Sequence, residues 1–136
     1  IQEFPDGTHT AQDAADAVGC ELGQIVKSLV FVCDDRTVVV LVPGDRRGDA
    51  DKVARAVEAG AARVAKPREV EDATGFAPGA VPPFPLPENT VVLMDRAFFR
   101  HPLVWAGAGS AQHVLGMPPA ELARVSRARP LDVSAD

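Results

Sequence analysis

The sequence predicts a mixed α/β domain (α+β), in which antiparallel hairpins form a sheet and helices pack against it. Its 136 residues suggest one domain, residues 1–136, and a hydrophobic content of 46% is sufficient for a buried core. Two runs, "KSLVFVC" and "TVVVLV", are almost continuously apolar, which is typical of strands covered on both faces. The predicted strands outnumber the predicted helices, and the helices interrupt them irregularly, which favours the mixed class.

The first third of the chain carries local boundary signals. "IQEF" is predicted to be a short strand, and "THTAQDAADAVG" a helix with Thr10 as its N-cap and Gly19 as its end. The polar "DDR" then joins the two apolar runs into a hairpin, and "PGDRRG" follows as a turn.

Two further helices are predicted in the middle of the chain. Asp49 is expected to cap the helix "ADKVARAVEAG", which should end at Gly60. After a short strand, "ARVA", the segment "KPREVEDATG" is predicted to form a helix with Pro67 in its first turn and Gly75 at its end.

The remainder of the chain begins with a proline-rich segment, "FAPGAVPPFPLPEN", predicted to be a stiff loop because proline restricts the backbone and lacks an N–H donor. A strand, "TVVLMD", and a short turn or helix, "RAFFRHP", ended by Pro102, should follow. We then expect a hairpin of "LVWAG" and "AQHVLG", a helix "MPPAELARVS" and a last strand "PLDV".

The charge distribution limits the classes of partner. The net charge of −5 argues against a generic nucleic-acid coat protein, which is usually basic. The segment Arg46–Arg68 nevertheless holds seven basic residues against three acidic ones, a local surplus of +4. Two interpretations stay open for this basic segment: a solvated helix face, or a docking patch for phosphates.

Cysteine content and terminal sequence bear on location. Cys20 and Cys33 have no metal-binding or redox spacing, which fits a reducing cytoplasm. No apolar run approaches the roughly 18 residues that a membrane span requires. The first residues show no signal peptide, and because an initiator Met is lacking we expect the native N-terminus to be missing.

Lys27 is the residue whose placement most needs an explanation. It lies near the start of a predicted buried strand, within "GQIVKSLVFVCDD". Lysine is rarely buried without a partner, because an unpaired buried charge is energetically costly. Lys27 must therefore extend its ammonium group to the surface, pair with an acid, or face a functional site.

Five segments occur in a familiar order: "HTAQDAADAVGCELGQIVKSLVF", "VLVPGDRRGDADKVARAV", "VEDATGFAPGAVPPF", "VVLMD" and "AGAGSAQHVLGMPPAELARV". With these segments the chain resembles the YbaK family, also called the prolyl-tRNA-synthetase-associated editing domain, from about residue 4 to the end. The resemblance implies a barrel-like mixed β-sheet flanked by helices, and it suggests that the family's first helix is missing before Ile1. It also implies hydrolysis of the ester between a tRNA and a wrongly attached amino acid, for which synthetase pockets discriminate poorly.

The resemblance also implies the site residues. Lys27 matches the family's essential lysine, and Gly75 through Pro83 match its glycine-bearing loop, with Gly79 as the glycine that approaches the ester. Lys27 and Gly79 are thus the expected catalytic residues; Lys27 either polarises the ester or holds a phosphate at the tRNA 3′ end. The expected substrate-binding residues are Ser28, Thr74, Gly75, Phe76, Val81, Pro82, Phe84, Asp95, Gly107 and His113.

Several of these assignments keep alternatives. Thr74 either caps its helix or lines the pocket, Asp95 is either a turn-starting acid or a partner of Lys27, and His113 is either a strand-face residue or a site residue. The family is expected to use the ribose hydroxyl of the substrate and a water, so no metal and no cofactor are implied. Many relatives have Gly-His where this chain has Pro85 and Leu86, a difference that bears on substrate choice.

The resulting expectation is a free-standing editing hydrolase in the cytoplasm. It should deacylate tRNA of the proline type that carries alanine, cysteine or serine. The expected partners are the aminoacyl-tRNA 3′ end, bound weakly through the Arg46–Arg68 segment, and a prolyl-tRNA synthetase, with no membrane. The alternatives are a non-catalytic module of the same fold that binds tRNA or a synthetase, and a hydrolase of another small acyl ester.

Overall fold

The computed structural model describes residues 2–3, 10–76, 81–83, 86, 90–107 and 113–136, and it describes side chains from residue 10 onward, except that of residue 113. The helices are α1 (Ala11–Val18), α2 (Ala50–Ala56), α3 (Pro67–Thr74) and α4 (Pro119–Ser126), with 3₁₀ turns at Leu22–Gln24 and Arg96–Arg100. The strands are β1 (Gln2–Glu3), β2 (Ile25–Cys33), β3 (Arg36–Pro43), β4 (Arg47–Gly48), β5 (Ala62–Val64), β6 (Val91–Asp95), β7 (Val104–Gly107), β8 (His113–Met117), β9 (Arg129–Leu131) and β10 (Ser134–Ala135).

The main sheet is mixed, with the order β1-β8-β7-β2-β3-β6-β9, and β5 pairs with the far end of β2. The predicted hairpins β2–β3 and β7–β8 are antiparallel, whereas β2–β7, β3–β6 and β6–β9 are parallel. The expected mixed sheet flanked by helices is therefore confirmed. Among the described residues the sheet is open and does not close into a barrel.

Strands β2 and β3 are covered on both faces, as their apolar runs predicted. Even-numbered residues of β2, such as Val26 and Val30, pack into one cluster with Val70 of α3 and Leu122 of α4. Odd-numbered residues face the other side, where Phe31 packs with α2. Successive side chains of a strand point to opposite faces, so every position of β2 belongs to one of these two sides. We call them the α3/α4 side and the α2 side.

Local signals placed most helix boundaries correctly. The Thr10 hydroxyl accepts a hydrogen bond from the Asp13 N–H at 3.0 Å, and Gly19 ends α1 in the left-handed conformation (φ 73°). Asp49 caps α2, and its carboxylate accepts a hydrogen bond from the Lys52 N–H at 3.1 Å. Pro67 begins α3.

The predicted end of α2 at Gly60 is wrong, because the helix ends at Ala56. Glu58 adopts a positive φ of 57°, and the chain then turns toward the β2–β3 hairpin. There the Asp34 carboxylate accepts hydrogen bonds from the N–H groups of Gly60 at 3.1 Å and Ala61 at 3.2 Å. These donors are satisfied by a residue distant in sequence, which explains why the local helix signal overestimated the length.

Two short strands were not predicted. β4 lies in the segment that was predicted to be a turn, and it pairs antiparallel with β10 at the C-terminal end, with Ser134 opposite Gly48. The pairing buries Val133 and Ser134 completely. The last residues of the chain are therefore attached to the α2 side of the structure.

No helix in the described ranges combines the length and apolar character that crossing a membrane would require.

Candidate functional site

Lys27 lies near the start of β2, opposite Val42 of β3, and is half-buried. It is odd-numbered, so it belongs to the α2 side of the sheet together with Leu29 and Phe31. The turn between β3 and β4 contacts the start of β2, where the Gly44 N–H donates to the Ile25 carbonyl at 2.8 Å. Lys27 thus lies beside a backbone turn at one end of the sheet.

The Lys27 ammonium group donates a hydrogen bond to the backbone carbonyl of Arg46. It forms no ion pair among the described residues, although the charge of nearby Asp45 raises its pKa somewhat. Desolvation by burial is the larger effect, and the net result is a Lys27 pKa below its ordinary value. An ammonium group has three donors, so Lys27 can bind a further acceptor without losing the Arg46 contact.

Thr74 and Gly75 form the end of α3. The buried Thr74 hydroxyl donates to the Val70 carbonyl at 2.7 Å and accepts from the Phe76 N–H at 3.1 Å. Gly75 has a φ of 79°, and a Cβ placed there would meet nothing within 4 Å. The contacts of Thr74 are those of a capping residue, and glycine at position 75 is explained by its backbone conformation.

The described loop residues lie on the α3/α4 side. Val81 is buried in the cluster of that side, and Phe76 packs against it; Pro82 is buried as well. Ser28 is even-numbered and half-buried on β2, so it belongs to this same side. The structure therefore groups Ser28 with the loop residues and places Lys27 on the opposite side of the strand.

Asp95 is buried at the end of β6, where it begins the 3₁₀ turn. Its carboxylate accepts hydrogen bonds from the Ala97 N–H at 2.8 Å, the Val133 N–H at 3.2 Å and the Ser134 hydroxyl at 2.6 Å. Within the described chain it forms no ion pair with Lys27. These contacts favour the interpretation of Asp95 as an acid that begins a turn over its interpretation as a partner of Lys27. An indirect link exists, because Arg46, whose carbonyl binds Lys27, donates through its Nε to the same Ser134 hydroxyl at 2.6 Å.

The other expected site residues give less information. Gly107 is exposed at the end of β7, and a Cβ there would meet nothing within 4 Å. His113 pairs with Glu3 through the backbone of β8 and β1, and its side chain lies outside the described part. Gly79 and Phe84 also lie outside the described residues. The expectations for all four residues stay predictions.

Both cysteines are free, Cys33 buried and Cys20 half-buried. Burial raises the pKa of each thiol, which disfavours the reactive thiolate. Among the described residues, no group of three or more His, Cys, Asp or Glu side chains converges as a metal site would require.

Ion pairs neutralise part of the positive charge of the basic segment Arg46–Arg68. Arg46 pairs with Asp136 at 2.7 Å and Lys52 with Asp132 at 2.9 Å, and both acids lie outside the segment. Arg63 pairs with Glu69 at 2.7 Å and lowers the pKa of that carboxyl to about 2. The remaining basic residues form no ion pair within the described chain: Arg47, Arg55, Lys66 and Arg68.

A cavity of about 530 Å³ on the α2 side was not predicted. Its lining includes Arg46, Asp95 and four residues of the 3₁₀ turn, Arg96, Ala97, Phe99 and Arg100. The signal in the sequence was "RAFFR", in which two aromatic residues lie between two arginines. Sequence alone does not show which phenylalanine is exposed.

Comparison with known proteins shows the family and supports the fold. The aminoacyl-tRNA editing domain model matches residues 5–125. YwhH of Bacillus subtilis, an uncharacterised protein, is 32% identical over 127 residues, which is 93% of this chain and 80% of that protein. The proline–tRNA ligase of Geobacillus sp. (strain WCH70) is 31% identical over 91 residues, covering 67% of this chain and 16% of the ligase.

A solved structure gives the same result. A protein assigned only provisionally as a trans-editing enzyme for prolyl tRNA synthetase superposes with a TM-score of 0.90 at 40% sequence identity. The match covers 98% of this chain and 85% of that protein. Because the family model spans most of the sequence and the fold agrees over nearly its full length, the chain belongs to the aminoacyl-tRNA editing domain family.

Proposed function

We propose that this protein is a free-standing aminoacyl-tRNA deacylase that hydrolyses the ester of a mischarged tRNA. The observation that carries the proposal is the state of Lys27. Its ammonium group is half-buried, bonded to a backbone carbonyl and unpaired with any carboxylate in the described chain. Family membership supports the reaction class.

Ester hydrolysis defines what the site must stabilise. A water adds to the carbonyl carbon, the bond to the ribose oxygen breaks, and the ribose hydroxyl and the free amino acid are released. Negative charge develops on the carbonyl oxygen during the addition, and a preorganised cation or N–H donor lowers the barrier. Lys27 is proposed to supply such a cation. Gly79 lies outside the described residues, and its described loop neighbours Phe76 and Val81 pack on the opposite side of β2 from Lys27, so its close approach to the ester stays a prediction from the sequence.

The substrate is proposed to be a small amino acid, alanine, cysteine or serine, on a proline-type tRNA. The similarity to proline–tRNA ligases and to a provisional trans-editing enzyme supports the tRNA type. A wall rich in proline adapts little to large side chains. One methylene changes binding in an apolar pocket by only about 1–3 kcal/mol, so activity should overlap among small residues. We place the reaction in the cytoplasm, where aminoacyl-tRNA is used.

The first experiment measures hydrolysis of proline-type tRNA charged with alanine, cysteine, serine, proline or phenylalanine. We expect release of at least two small residues and no preference for phenylalanine. Hydrolysis of none of these esters would refute the deacylase and favour a non-catalytic binding module. A preference for the aromatic residue would refute the small pocket.

A second experiment tests which side of β2 holds the reaction. Lys27→Ala and Ser28→Ala alter neighbouring residues on opposite faces of one strand. We expect Lys27→Ala to abolish deacylation while its circular dichroism and melting temperature stay near those of the wild type. Ser28→Ala should retain most activity. If the two results were reversed, the chemistry would lie on the α3/α4 side.

A further inference from the structure

Two consecutive phenylalanines of the 3₁₀ turn have opposite environments. Phe98 is fully buried in the core of the α3/α4 side, whereas 48% of Phe99 is exposed. A 3₁₀ helix has three residues per turn, so Arg96 and Phe99 lie one above the other on the same face. Burial of Phe98 therefore fixes the orientation of the turn and presents Phe99 with a cation beside it.

The exposed ring lines the 530 Å³ cavity together with four cationic side chains, Arg46, Lys52, Arg96 and Arg100. Two carboxylates share the lining, Asp95 and Asp132. Positive charge thus exceeds negative charge around an exposed aromatic ring, in a protein with a net charge of −5.

The four cationic side chains of this cavity differ in whether they already have partners. Arg46 is bonded to Ser134 and Asp136, and Lys52 is bonded to Asp132 and to the Ser134 carbonyl at 2.8 Å. Arg96 and Arg100 are exposed and form no ion pair within the described chain. Both can bind an added anion, although the charge of Arg96 also acts on Asp132 and helps to lower the pKa of that carboxyl. Asp95 does not compete for them, because its carboxylate is occupied by three internal donors.

An exposed aromatic ring beside free arginines has the chemistry of a single-stranded nucleic-acid site. Bases stack on the ring, and the guanidinium groups bind the adjoining phosphates. A duplex keeps its bases stacked on one another, so it cannot use the ring in this way. The combination therefore favours unpaired nucleotides over a double helix.

We propose that Phe99, Arg96 and Arg100 bind an unpaired nucleotide at the 3′ end of the tRNA, with the base stacked on Phe99. The proposal rests on the proposed function, since it assigns a binding site for the same substrate. The cavity adjoins the candidate catalytic lysine through one residue: Arg46 lines the cavity, and its backbone carbonyl binds Lys27. A nucleotide held there lies on the same side of the sheet as Lys27.

The test measures the affinity of a fluorescein-labelled, unacylated RNA octamer ending in CCA, by fluorescence anisotropy at low salt. We compare the wild type with Phe99→Ala, Phe99→Leu, Phe99→Trp and Arg100→Gln. Val64→Ala is the matched control, because Val64 is an apolar side chain that is 65% exposed on β5. Stacking contributes about 1–3 kcal/mol per base, so Phe99→Ala and Phe99→Leu should each raise Kd about 5- to 150-fold. Phe99→Trp should bind as tightly as the wild type, and Val64→Ala should change nothing.

Two results would overturn the proposal. One is an unchanged Kd in Phe99→Ala; the other is full binding by Phe99→Leu, which keeps apolar bulk without a π face. A blunt RNA duplex of eight base pairs is the second probe, and its affinity should not depend on Phe99. An equal weakening of duplex and octamer binding would likewise contradict stacking.

The proposed function and this site can fail separately. If the wild type hydrolyses mischarged tRNA but Phe99→Ala binds the octamer normally, the deacylase stands and the stacking site is wrong. If the octamer binds through Phe99 but no ester is hydrolysed, the stacking site stands and the deacylase is wrong.

Discussion

At the scale of single residues, the protonation of Lys27 is the property that should be visible in the kinetics. Burial lowers the pKa of this ammonium group, so it loses its proton at a lower pH than an exposed lysine does. If the cation stabilises the developing oxyanion, deacylation should decline on the alkaline side before the ordinary lysine pKa of 10.5 is reached. The pH–rate profile, corrected for uncatalysed hydrolysis, measures this decline.

The lowered pKa of Lys27 should also make the stability of the wild type depend on pH, and the direction of that dependence can be derived. Between the lowered folded pKa and 10.5, the unfolded chain binds more protons at this position than the folded chain. Stability of the wild type relative to Lys27→Met should therefore rise with pH across that window. A relative stability that falls with increasing pH would show that the Lys27 pKa is raised, contrary to the structure.

A substitution of Asp95 can show whether its carboxylate stabilises the fold or takes part in the functional site. Asp95→Ala leaves the Val133 N–H and the Ser134 hydroxyl, both completely buried, without their acceptor. Buried donors left unsatisfied cost about 1–3 kcal/mol each, so urea denaturation should show a loss of about 2–6 kcal/mol for the two donors. Asp132→Ala removes an exposed ion pair with Lys52 and a hydrogen bond from the Ser134 backbone, and it should cost less. A stable Asp95→Ala variant without activity would instead make Asp95 a site residue.

At the scale of secondary-structure elements, the end of α3 can be tested through its glycine. Gly75 has a left-handed φ of 79°, and a Cβ would meet open space. Gly75→Ala should therefore lose about 1–2 kcal/mol of unfolding free energy through backbone strain alone. Gly107→Ala is the control, because its Cβ also meets open space while its φ lies outside the left-handed region. Equal stability of the two variants would contradict the assigned cap.

At the scale of the whole molecule, the basic segment should bind tRNA less strongly than its sequence suggests. Arg47 and Arg68 are exposed and without ion pairs in the described chain, whereas Arg63 is held by Glu69. Removing one cation that binds a phosphate lowers the slope of log K against log salt by about 0.7–0.9. We therefore expect Arg47→Gln with Arg68→Gln to lower the slope for unacylated tRNA by about 1.5, twice the value for a single phosphate.

The control for this prediction keeps the net charge constant. Arg63→Gln with Glu69→Gln removes a cation and an anion that already neutralise each other, so the salt dependence should not change. An unchanged slope in the Arg47 and Arg68 variant would assign the segment to a solvated helix face, the alternative interpretation of its composition.

The sequence determined the features whose causes lie within a few residues. Thr10 and Gly19 limit α1, Pro67 and Gly75 limit α3, and the apolar runs pair across a short polar turn to form β2 and β3. Caps, prolines and strand periodicity act through neighbouring backbone groups, so they can be predicted locally. The segments quoted for the YbaK resemblance were likewise enough to identify the family that the comparisons show.

Only the tertiary structure decided features that depend on residues far apart in the chain. The Asp34 carboxylate accepts hydrogen bonds from the N–H groups of Gly60 and Ala61, and α2 ends before them. Asp132 and Asp136, near the C-terminal end, form ion pairs with Lys52 and Arg46. The exposure of Phe99 follows from the burial of its neighbour, and the side of the sheet that Lys27 faces follows from how helices cover β2. Such outcomes are set by packing and charge pairing across the fold, which the order of residues along the chain does not reveal.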